Sequence, residues 1–234
     1  MSNNIEKINY DNFSNTFSAS RNWMKWEEIE YFLEKYKDFI DEKKILDIWC
    51  GNGRLLDHFI KSKFITDINY FWVDSSIWMI SEAKEKFWTD DFSVLNMAEI
   101  DSLFSPPILG KSAGELFESI FFIASFHHLF TIEERIEVLN KLKTIIKPWS
   151  YIFMTNWALN SELNKEKYSS SIIPNSQNEF ESIDYNIKIW EFLRFYHNFS
   201  LKELEYLFTK TWYKIIENRL FNNDRNIISV IMYA

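Results

Sequence analysis

Glycine is the residue that this chain most lacks, with four copies in 234 positions. An average soluble protein is about 7% glycine, which would place about sixteen in a chain of this length. This shortage is accompanied by an excess of tryptophan, which occurs ten times. Several tryptophans, Trp49 above all, stand where the surrounding pattern predicts glycine.

Other residue types and patterns are also scarce. The single cysteine, Cys50, excludes a disulfide framework, and with only four histidines it argues against a zinc site. The formal net charge of −8 argues against broad nucleic-acid binding but leaves room for a local basic groove. No apolar run approaches the ~18 residues of a membrane span, and residues 1–7 lack a signal-peptide region. We therefore expect a soluble cytoplasmic protein with no membrane partner and no metal.

Short apolar segments alternate with amphipathic ones along most of the chain, and 47% of all residues are hydrophobic. Such alternation predicts βαβ units and a parallel sheet. The predicted strands are 44–48, 69–73, 92–95, 118–124, 151–155, 213–219 and 226–233, and the last two are expected to pair antiparallel. The predicted helices are 24–40, 54–61, 77–86, 131–146 and 200–210. The expected fold is therefore α/β and Rossmann-like, with a mostly parallel seven-stranded sheet and helices on both faces.

We expect one domain across residues 1–234, because no internal repeat or linker is visible. Within it, residues 1–43 form an N-terminal helical cap and residues 44–159 the core. Residues 160–199 are an insertion or lid, since much of that stretch is polar and rich in serine and asparagine. Residues 200–234 form a C-terminal helix and β-hairpin.

The segment from Asp47 to Gly53 reads as a tight turn between a strand and a helix. Such a turn exposes backbone N–H groups, and glycine lets a ligand approach them. Asp74 follows at the end of the next strand, where an acid can accept hydrogen bonds from ribose hydroxyls. The turn lacks the longer glycine fingerprint of nicotinamide dehydrogenases and the Lys-Ser/Thr ending of a P-loop. The pattern favours an adenosine ligand without phosphate, although Asp74 could instead cap the following helix beside Ser75 and Ser76.

At these residues the chain resembles the class I S-adenosylmethionine-dependent methyltransferases. The likeness covers about residues 10–233 and is carried by the segments 44–54, 71–76, 117–120 and 142–150. It implies the class I methyltransferase fold with S-adenosyl-L-methionine as cofactor, bound by residues 44–159. The cofactor-binding residues implied are Asp47, Trp49, Gly51 and Gly53 for the methionine moiety, Asp74 with Ser75 for the ribose, Asn96 and Met97 for the adenine, and Ala124, which opens the segment 124–129 facing the methyl group.

Further segments are similar to the tRNA wobble-uridine methyltransferases that esterify a carboxymethyl group: 155–159, 194–199, Glu203-Leu204, Tyr10-Asp11, Phe17-Ser18 and Trp26. This likeness implies a modified tRNA uridine as methyl acceptor, with His127, Arg194 and Tyr196 as candidate catalytic residues. The alternatives are a small-molecule or quinone acceptor, or a non-catalytic adenosine-binding scaffold. His127 and His128 could equally be loop histidines, and Tyr196 could pack against the sheet.

The resemblance places glycine where this chain has Trp49, Trp72 and Trp149, and in addition at Trp78 and Trp212. Trp26 and Trp157, by contrast, match tryptophan positions of the family. UGA is read as glycine in some genetic codes and as tryptophan in others, and the abundance of Lys, Asn, Ile, Phe and Tyr indicates A/T-rich codons. We therefore hypothesise that UGA glycine codons were translated as tryptophan. If the tryptophans are literal, the indole of Trp49 should weaken cofactor binding.

Overall fold

In a computed structural model, the chain is described over residues 26–63, 69–89, 91–104, 116–189 and 192–234. The predicted N-terminal matches at Tyr10-Asp11 and Phe17-Ser18 lie outside these ranges. The helices are α1 (Glu27–Lys35), α2 (Arg54–Ser62), α3 (Ile77–Phe87), α4 (Ile132–Leu142), α5 (Lys165–Tyr168) and α6 (Leu201–Lys210). The strands are β1 (Ile45–Ile48), β2 (Tyr70–Asp74), β3 (Phe92–Val94), β4 (Phe117–Ile123), β5 (Ile146–Trp157), β6 (Ile183–Ile189), β7 (Phe192–Asn198), β8 (Tyr213–Phe221) and β9 (Asn226–Tyr233).

Seven strands form one sheet in the order β3-β2-β1-β4-β5-β9-β8. The pairs from β3 to β5 are parallel, whereas β9 runs antiparallel to both β5 and β8. This arrangement confirms the predicted mostly parallel seven-stranded sheet with a C-terminal antiparallel pair. All four residues of β1 are buried, as is typical of a parallel strand that helices cover on both faces.

Helices cover both faces of the sheet, and each face has its own apolar core. Helices α1, α2 and α3 pack on one face through residues such as Phe32, Phe59 and Ile80. On the other face lie α4 and α6, which contribute Leu139 and Leu207 among others. Because successive strand residues alternate between faces, β1 contributes to both cores.

The helix ends follow their local sequence. Thr131 caps α4 with a full capping box, in which its hydroxyl accepts from the Glu134 N–H and the Glu134 carboxylate accepts from the Thr131 N–H. Helix α4 ends at Leu142, four residues before the predicted end, and the chain enters β5 at Ile146. The predicted helix 24–40 is shorter as well, because α1 stops at Lys35 and a separate 3-10 turn covers Lys37–Phe39.

Residues 160–199 contain two strands that the sequence analysis did not predict. Strands β6 and β7 pair there as an antiparallel hairpin outside the main sheet, with Tyr185 opposite Tyr196. The hairpin places Arg194 and Tyr196 beside the loop that follows β4, where His128 hydrogen-bonds to the Phe195 carbonyl. The proposed division of residues 1–234 into cap, core, lid and C-terminal hairpin stays a prediction.

None of the helices within the described ranges is long and apolar enough to cross a bilayer. Nor do the described residues bring together three or more His, Cys, Asp or Glu side chains in a group that could hold a metal ion.

Candidate active site

The order of the strands reverses between β1 and β4, so that their connections leave the sheet in opposite directions. In open parallel sheets this reversal opens a crevice at the carboxyl ends of the strands, where ligands bind. The loop after β1 contains the predicted glycine turn, and the loop after β4 contains the predicted segment 124–129. The topology therefore brings together the two segments that the sequence singled out.

The turn after β1 has the backbone that only glycine adopts without strain. Gly51 and Gly53 have φ of 59° and 76°, and Trp49 has φ of 60°. A Cβ on Gly53 would lie 2.7 Å from the Phe87 ring, so glycine is required there for packing as well as for conformation. The Trp49 and Cys50 N–H groups donate to the Val73 carbonyl, which anchors the turn to β2.

Asp74 links this turn to the next helix. One carboxylate oxygen accepts from the Gly51 N–H and the other from the Ser76 N–H, both at 2.9 Å. The hydroxyl of Ser76, not the Asp74 carboxylate, occupies the N-cap position of α3 and accepts from the Met79 N–H. The capping alternative for Asp74 therefore explains one of its two backbone contacts. The other fixes the carboxylate against the glycine turn at the edge of the crevice.

Asp47 lies beneath the turn, 2% exposed, and accepts a hydrogen bond from the Tyr70 hydroxyl at 3.2 Å. Burial raises the pKa of Asp47 to about 7, and the nearby Asp74 carboxylate adds to the rise, while the Tyr70 hydrogen bond opposes it. A positive charge placed above the turn would favour ionisation of Asp47. Near neutral pH, a cationic ligand above the turn would therefore shift Asp47 toward its ionised form.

This raised pKa predicts a pH-dependent stability effect for Asp47→Asn. An acid whose folded pKa exceeds its unfolded value of about 3.9 stabilises the fold most at low pH, and that contribution is lost as pH rises toward 7. As the pH is raised from 4 to 8, the free energy of unfolding of Asp47→Asn should rise by about 2–4 kcal/mol relative to that of the parent chain. Urea unfolding across that range measures the gain.

The control for this experiment is Asp57→Asn, which removes a carboxylate paired with Lys61 and Lys86. Asp57→Asn should bring no gain in the free energy of unfolding at high pH, because the two lysines compensate the Asp57 charge in the folded protein. Parallel pH profiles for Asp47→Asn and the parent chain would contradict the raised pKa.

The residues predicted at the adenine end occupy different settings. Ser75 is exposed beside Asp74. The Asn96 side-chain oxygen accepts from the Ala98 N–H at 3.0 Å, which closes a local turn. Met97 is fully buried in the core beside Leu95, so that its side chain offers no accessible surface to a ligand. The predicted position of Met97 beside the adenine stays a prediction, and it would have to involve the Met97 backbone.

On the opposite side of the crevice, His128 and Arg194 form a buried pair. His128 Nδ1 lies 2.8 Å from the Phe195 carbonyl, which can only accept, so Nδ1 carries the proton. His128 Nε2 then accepts from Arg194 Nη2 at 2.5 Å. Arg194 is 7% exposed and lines the same cavity as Asp74 and Ala124. The structure thus places a guanidinium held by His128 on the wall of the cavity.

The two other predicted catalytic residues pack together behind this pair. Tyr196 is 1% exposed and stacks on Trp157, with ring centroids 5.1 Å apart. His127 is also buried and contacts the Tyr196 and Trp157 rings. The Tyr196 hydroxyl is buried and has no hydrogen-bond partner among the described residues. Packing therefore explains why the ring of Tyr196 is buried, but it does not explain why the hydroxyl is buried as well.

The hairpin that carries Arg194 is anchored by a buried polar network. His197 donates to Asp184 through Nδ1 at 2.6 Å and to Glu203 through Nε2 at 2.8 Å. The Glu203 carboxylate also pairs with Arg135 at 3.0 Å and accepts from the Asn178 amide. These contacts join β6, β7, α4 and α6. Sequence reasoning noted Glu203 only as a resemblance and missed this network, because its members are scattered over 68 residues.

Trp49 spans the crevice. Its indole stacks on the His128 imidazole with centroids 5.7 Å apart and an interplanar angle of 27°. The cavity that remains beside it has a volume of about 50 Å³, whereas ligand sites commonly measure about 300–1,000 Å³. It is lined by Trp49, Gly51, Arg54, Asp74, Ser75, Met79, Ile123, Ala124, Ser125 and Arg194. The Asp74 side of the crevice fits the ribose of S-adenosylmethionine, but the Trp49 side does not fit its methionine chain.

Comparison with known proteins identifies the family to which the chain belongs. Residues 21–218 match a methyltransferase domain family. The chain belongs to this family. It is a class I S-adenosylmethionine-dependent methyltransferase with the Rossmann-like fold, as the resemblance predicted.

Solved structures of similar fold include a methyltransferase from Methanosarcina mazei, at 17% identity and a TM-score of 0.62, covering 84% of this chain and 95% of that one. A protein from Pyrococcus horikoshii is 20% identical at a TM-score of 0.63, covering 96% and 94%. The Burkholderia thailandensis 1,6-didemethyltoxoflavin-N1-methyltransferase, 12% identical at a TM-score of 0.61 and covering 95% and 86%, was solved with bound S-adenosylhomocysteine.

A curated relative in Arabidopsis thaliana is a tRNA (carboxymethyluridine(34)-5-O)-methyltransferase. It is 27% identical over 153 residues, which are 65% of this chain. The match covers 32% of that relative, so that the chain aligns with about a third of its length.

Proposed function

We propose that the chain transfers a methyl group from S-adenosylmethionine to a carboxylate oxygen of its acceptor, and that the acceptor is a carboxymethylated uridine of tRNA. The observation that carries this proposal is the buried Arg194 guanidinium, held by His128 on the wall of the cavity that Asp74 also lines. Arginine offers a planar fork of donors that suits a carboxylate. The similarity to the Arabidopsis relative supports the same acceptor.

In this proposal the residues predicted from the resemblance bind the cofactor, and Arg194 is kept for the acceptor. Asp74 and Ser75 hold the ribose, the backbone of Asn96 and Met97 flanks the adenine, and Ala124 borders the methyl group. Asp47, Gly51 and Gly53 border the methionine end, where the indole of Trp49 obstructs the methionine chain. When bound, S-adenosylmethionine supplies a methyl group carried on a positively charged sulfur.

The residues of the chain contribute mainly by alignment in this proposal. Holding two reactants in line can lower a barrier by about 7–11 kcal/mol. An ionised carboxylate acceptor has no proton to lose, so the site needs no general base. The fixed tautomer of His128, which donates to a carbonyl and accepts from Arg194, suits a positioning residue better than a base.

The buried hydroxyl of Tyr196 supports an oxygen-rich acceptor. A buried hydroxyl without a partner costs about 1–3 kcal/mol, and an acceptor oxygen could remove that cost. Tyr196 and Arg194 both lie on β7, and the guanidinium carbon is 5.1 Å from the centre of the Tyr196 ring. We propose Arg194 and Tyr196 as acceptor-binding residues, with His127 in a packing role.

The test is a methylation assay with two matched tRNAs, one carrying 5-carboxymethyluridine at the wobble position and one with unmodified uridine. Both the parent chain and Trp49→Gly should be assayed. We expect methyl transfer only to the carboxymethylated tRNA, and we expect mild alkali to release the label as methanol, because esters hydrolyse and N-methyl groups do not. An alkali-stable product, or equal labelling of both tRNAs, would refute the carboxylate acceptor.

Arg194→Gln tests the role of the guanidinium. Removing a charged hydrogen-bond donor costs about 1.5–3 kcal/mol, so kcat/KM for the carboxymethylated tRNA should fall about 10–100-fold. Arg194→Lys keeps the charge without the fork and should lose less. S-adenosylhomocysteine affinity should be unchanged in both variants, since Arg194 lies on the acceptor side. A loss confined to cofactor affinity would move Arg194 out of the acceptor site.

A small-molecule carboxylate is the second candidate acceptor, and the formal net charge of −8 favours it over a polyanion. Salt dependence separates the two, because binding that neutralises several tRNA phosphates weakens steeply as salt is raised. Methylation of a 5-carboxymethyluridine nucleoside at the same rate as tRNA would favour the small molecule. A tRNA acceptor places the enzyme in the cytoplasm, and that location is part of the same proposal.

A further inference from the structure

Half of the tryptophans that the structure describes have a backbone that suits glycine. Four of the eight, Trp49, Trp88, Trp149 and Trp212, have φ between 54° and 70°. Across the described ranges, only eight residues of all other types except glycine share a positive φ, and four of those are Asn or Asp, which tolerate it best. A bulky aromatic side chain is a true outlier in this region.

Two of the four stand where helices end in glycine. Trp88 is the C-cap of α3 and donates its N–H to the Lys84 carbonyl. Trp212 follows the C-cap of α6 and donates its N–H to the Thr209 carbonyl. A left-handed residue after the last helical turn is usually glycine. Both side chains are exposed, at 92% and 82%, so that packing does not compensate for the strain.

Trp149 stands at an irregularity of the sheet. The pairing of β4 with β5 shifts register between Phe117 and Ser119, opposite the segment that contains Trp149. The residue has φ of 70° and is 67% exposed. Glycine adopts such a left-handed backbone without strain, whereas tryptophan does not.

The remaining tryptophans named in the sequence prediction behave differently. Trp72 is buried in β2 and stacks on Phe92 with centroids 3.9 Å apart. Trp78 lies in the first turn of α3 with an ordinary helical backbone. The backbone therefore does not require glycine at these two positions. Trp88, which the sequence prediction did not include, does have a left-handed backbone that favours glycine.

We propose that residues 49, 88, 149 and 212 are glycine in the functional protein, because UGA codons are decoded as glycine in its source. We further propose that glycine at position 49 opens the crevice to the cofactor. Without the indole that stacks on His128, the loops after β1 and β4 no longer touch through Trp49. This last step alone rests on the proposed function.

Thermal unfolding tests the backbone argument independently of any ligand. Trp88→Gly, Trp149→Gly and Trp212→Gly should each raise Tm by about 2–4 °C, because each relieves left-handed strain at an exposed site. The matched control is Trp78→Gly, an exposed helical tryptophan, which should lower Tm because glycine weakens a helix. If the three variants lose stability as Trp78→Gly does, the inference is overturned.

Calorimetry with S-adenosylhomocysteine tests the opening of the crevice. Trp49→Gly should bind about 10–100-fold more tightly than the parent chain, since a ligand no longer has to displace the indole. Trp49→Ala removes the indole but keeps a Cβ at positive φ, so its affinity should lie between those of the parent chain and Trp49→Gly. Equal affinity of the parent chain and Trp49→Gly overturns the steric claim while leaving the methyltransferase assignment intact. Absence of binding by every variant, with Tm raised as above, supports the glycine positions and counts against the proposed cofactor site.

Peptide mass spectrometry of the protein from its native source gives the direct answer. We expect glycine at positions 49, 88, 149 and 212, and TGA at the four codons in the gene. Tryptophan in the native peptides, or TGG at these codons, overturns the proposal.

Discussion

Glu203→Gln is expected to lower the free energy of unfolding by about 3–5 kcal/mol, because it leaves the buried Arg135 without its countercharge. Both side chains are almost fully buried, Arg135 at 2% and Glu203 at 0% exposed. The variant keeps the size of the side chain, so the loss reports on charge and not on packing. Urea unfolding at pH 7 measures it.

The effect of this substitution should depend on pH in a defined direction. Burial alone would raise the pKa of Glu203, but the hydrogen bond and positive charge of His197, together with Arg135, lower it to about 2. An acid with a lowered folded pKa stabilises the fold above its unfolded pKa of about 4.3, and that stabilisation is lost as pH falls toward 2. The parent chain and Glu203→Gln should therefore converge in stability between about pH 5 and pH 2.

Glu181→Gln is the matched control for this charge removal. Glu181 pairs with Lys202 on the same helix as Glu203, but both side chains are more than 60% exposed. Exposed pairs contribute about 0–1 kcal/mol, so this variant should unfold close to the parent chain. A Glu203→Gln variant as stable as Glu181→Gln would show that the buried network does not hold the hairpin.

The second large effect concerns Asp74. In a Trp49→Gly background, Asp74→Asn should weaken S-adenosylhomocysteine binding by about 100-fold, since hydrogen bonds to a charged acceptor are worth about 1.5–3 kcal/mol each and a ribose offers two hydroxyls. Calorimetric titration measures the loss. Asp91→Asn, at an exposed carboxylate before β3, is the control and should leave the affinity unchanged.

Adenosine separates two explanations for such a loss. If Asp74 binds the ribose, adenosine and S-adenosylhomocysteine lose affinity by the same factor. If Asp74 acts only by holding the Gly51 N–H and thereby the turn, S-adenosylhomocysteine is weakened and adenosine is not. The second pattern would contradict the ribose role.

The parallel core was predictable from the sequence because its strands are continuous apolar runs between helices of clear periodicity. The hairpin β6–β7 was missed, although Ile183, Tyr185, Ile187 and Ile189 alternate with polar residues as a half-buried strand should. The polar composition of the preceding residues concealed that signal. Period-two alternation, tested along 160–199 without regard to composition, would have found β6.

The two halves of the crevice were not equally predictable. The turn and Asp74 are near neighbours in the chain, and the βαβ rule places them together. The pairing of His128 with Arg194 joins residues 66 positions apart and depends on how the hairpin folds back onto the β4 loop. Since no local pattern encodes that fold, the sequence pointed to His127, and the structure shows that its neighbour contacts the guanidinium.

The most direct measurement is a crystal structure of Trp49→Gly with S-adenosylhomocysteine. We expect the ligand in the crevice between β1 and β4, with its ribose hydroxyls on the Asp74 carboxylate and its homocysteine end in the space that the indole leaves. A ligand bound elsewhere on the molecule, or in this crevice without contact to Asp74, would contradict the site described for this methyltransferase.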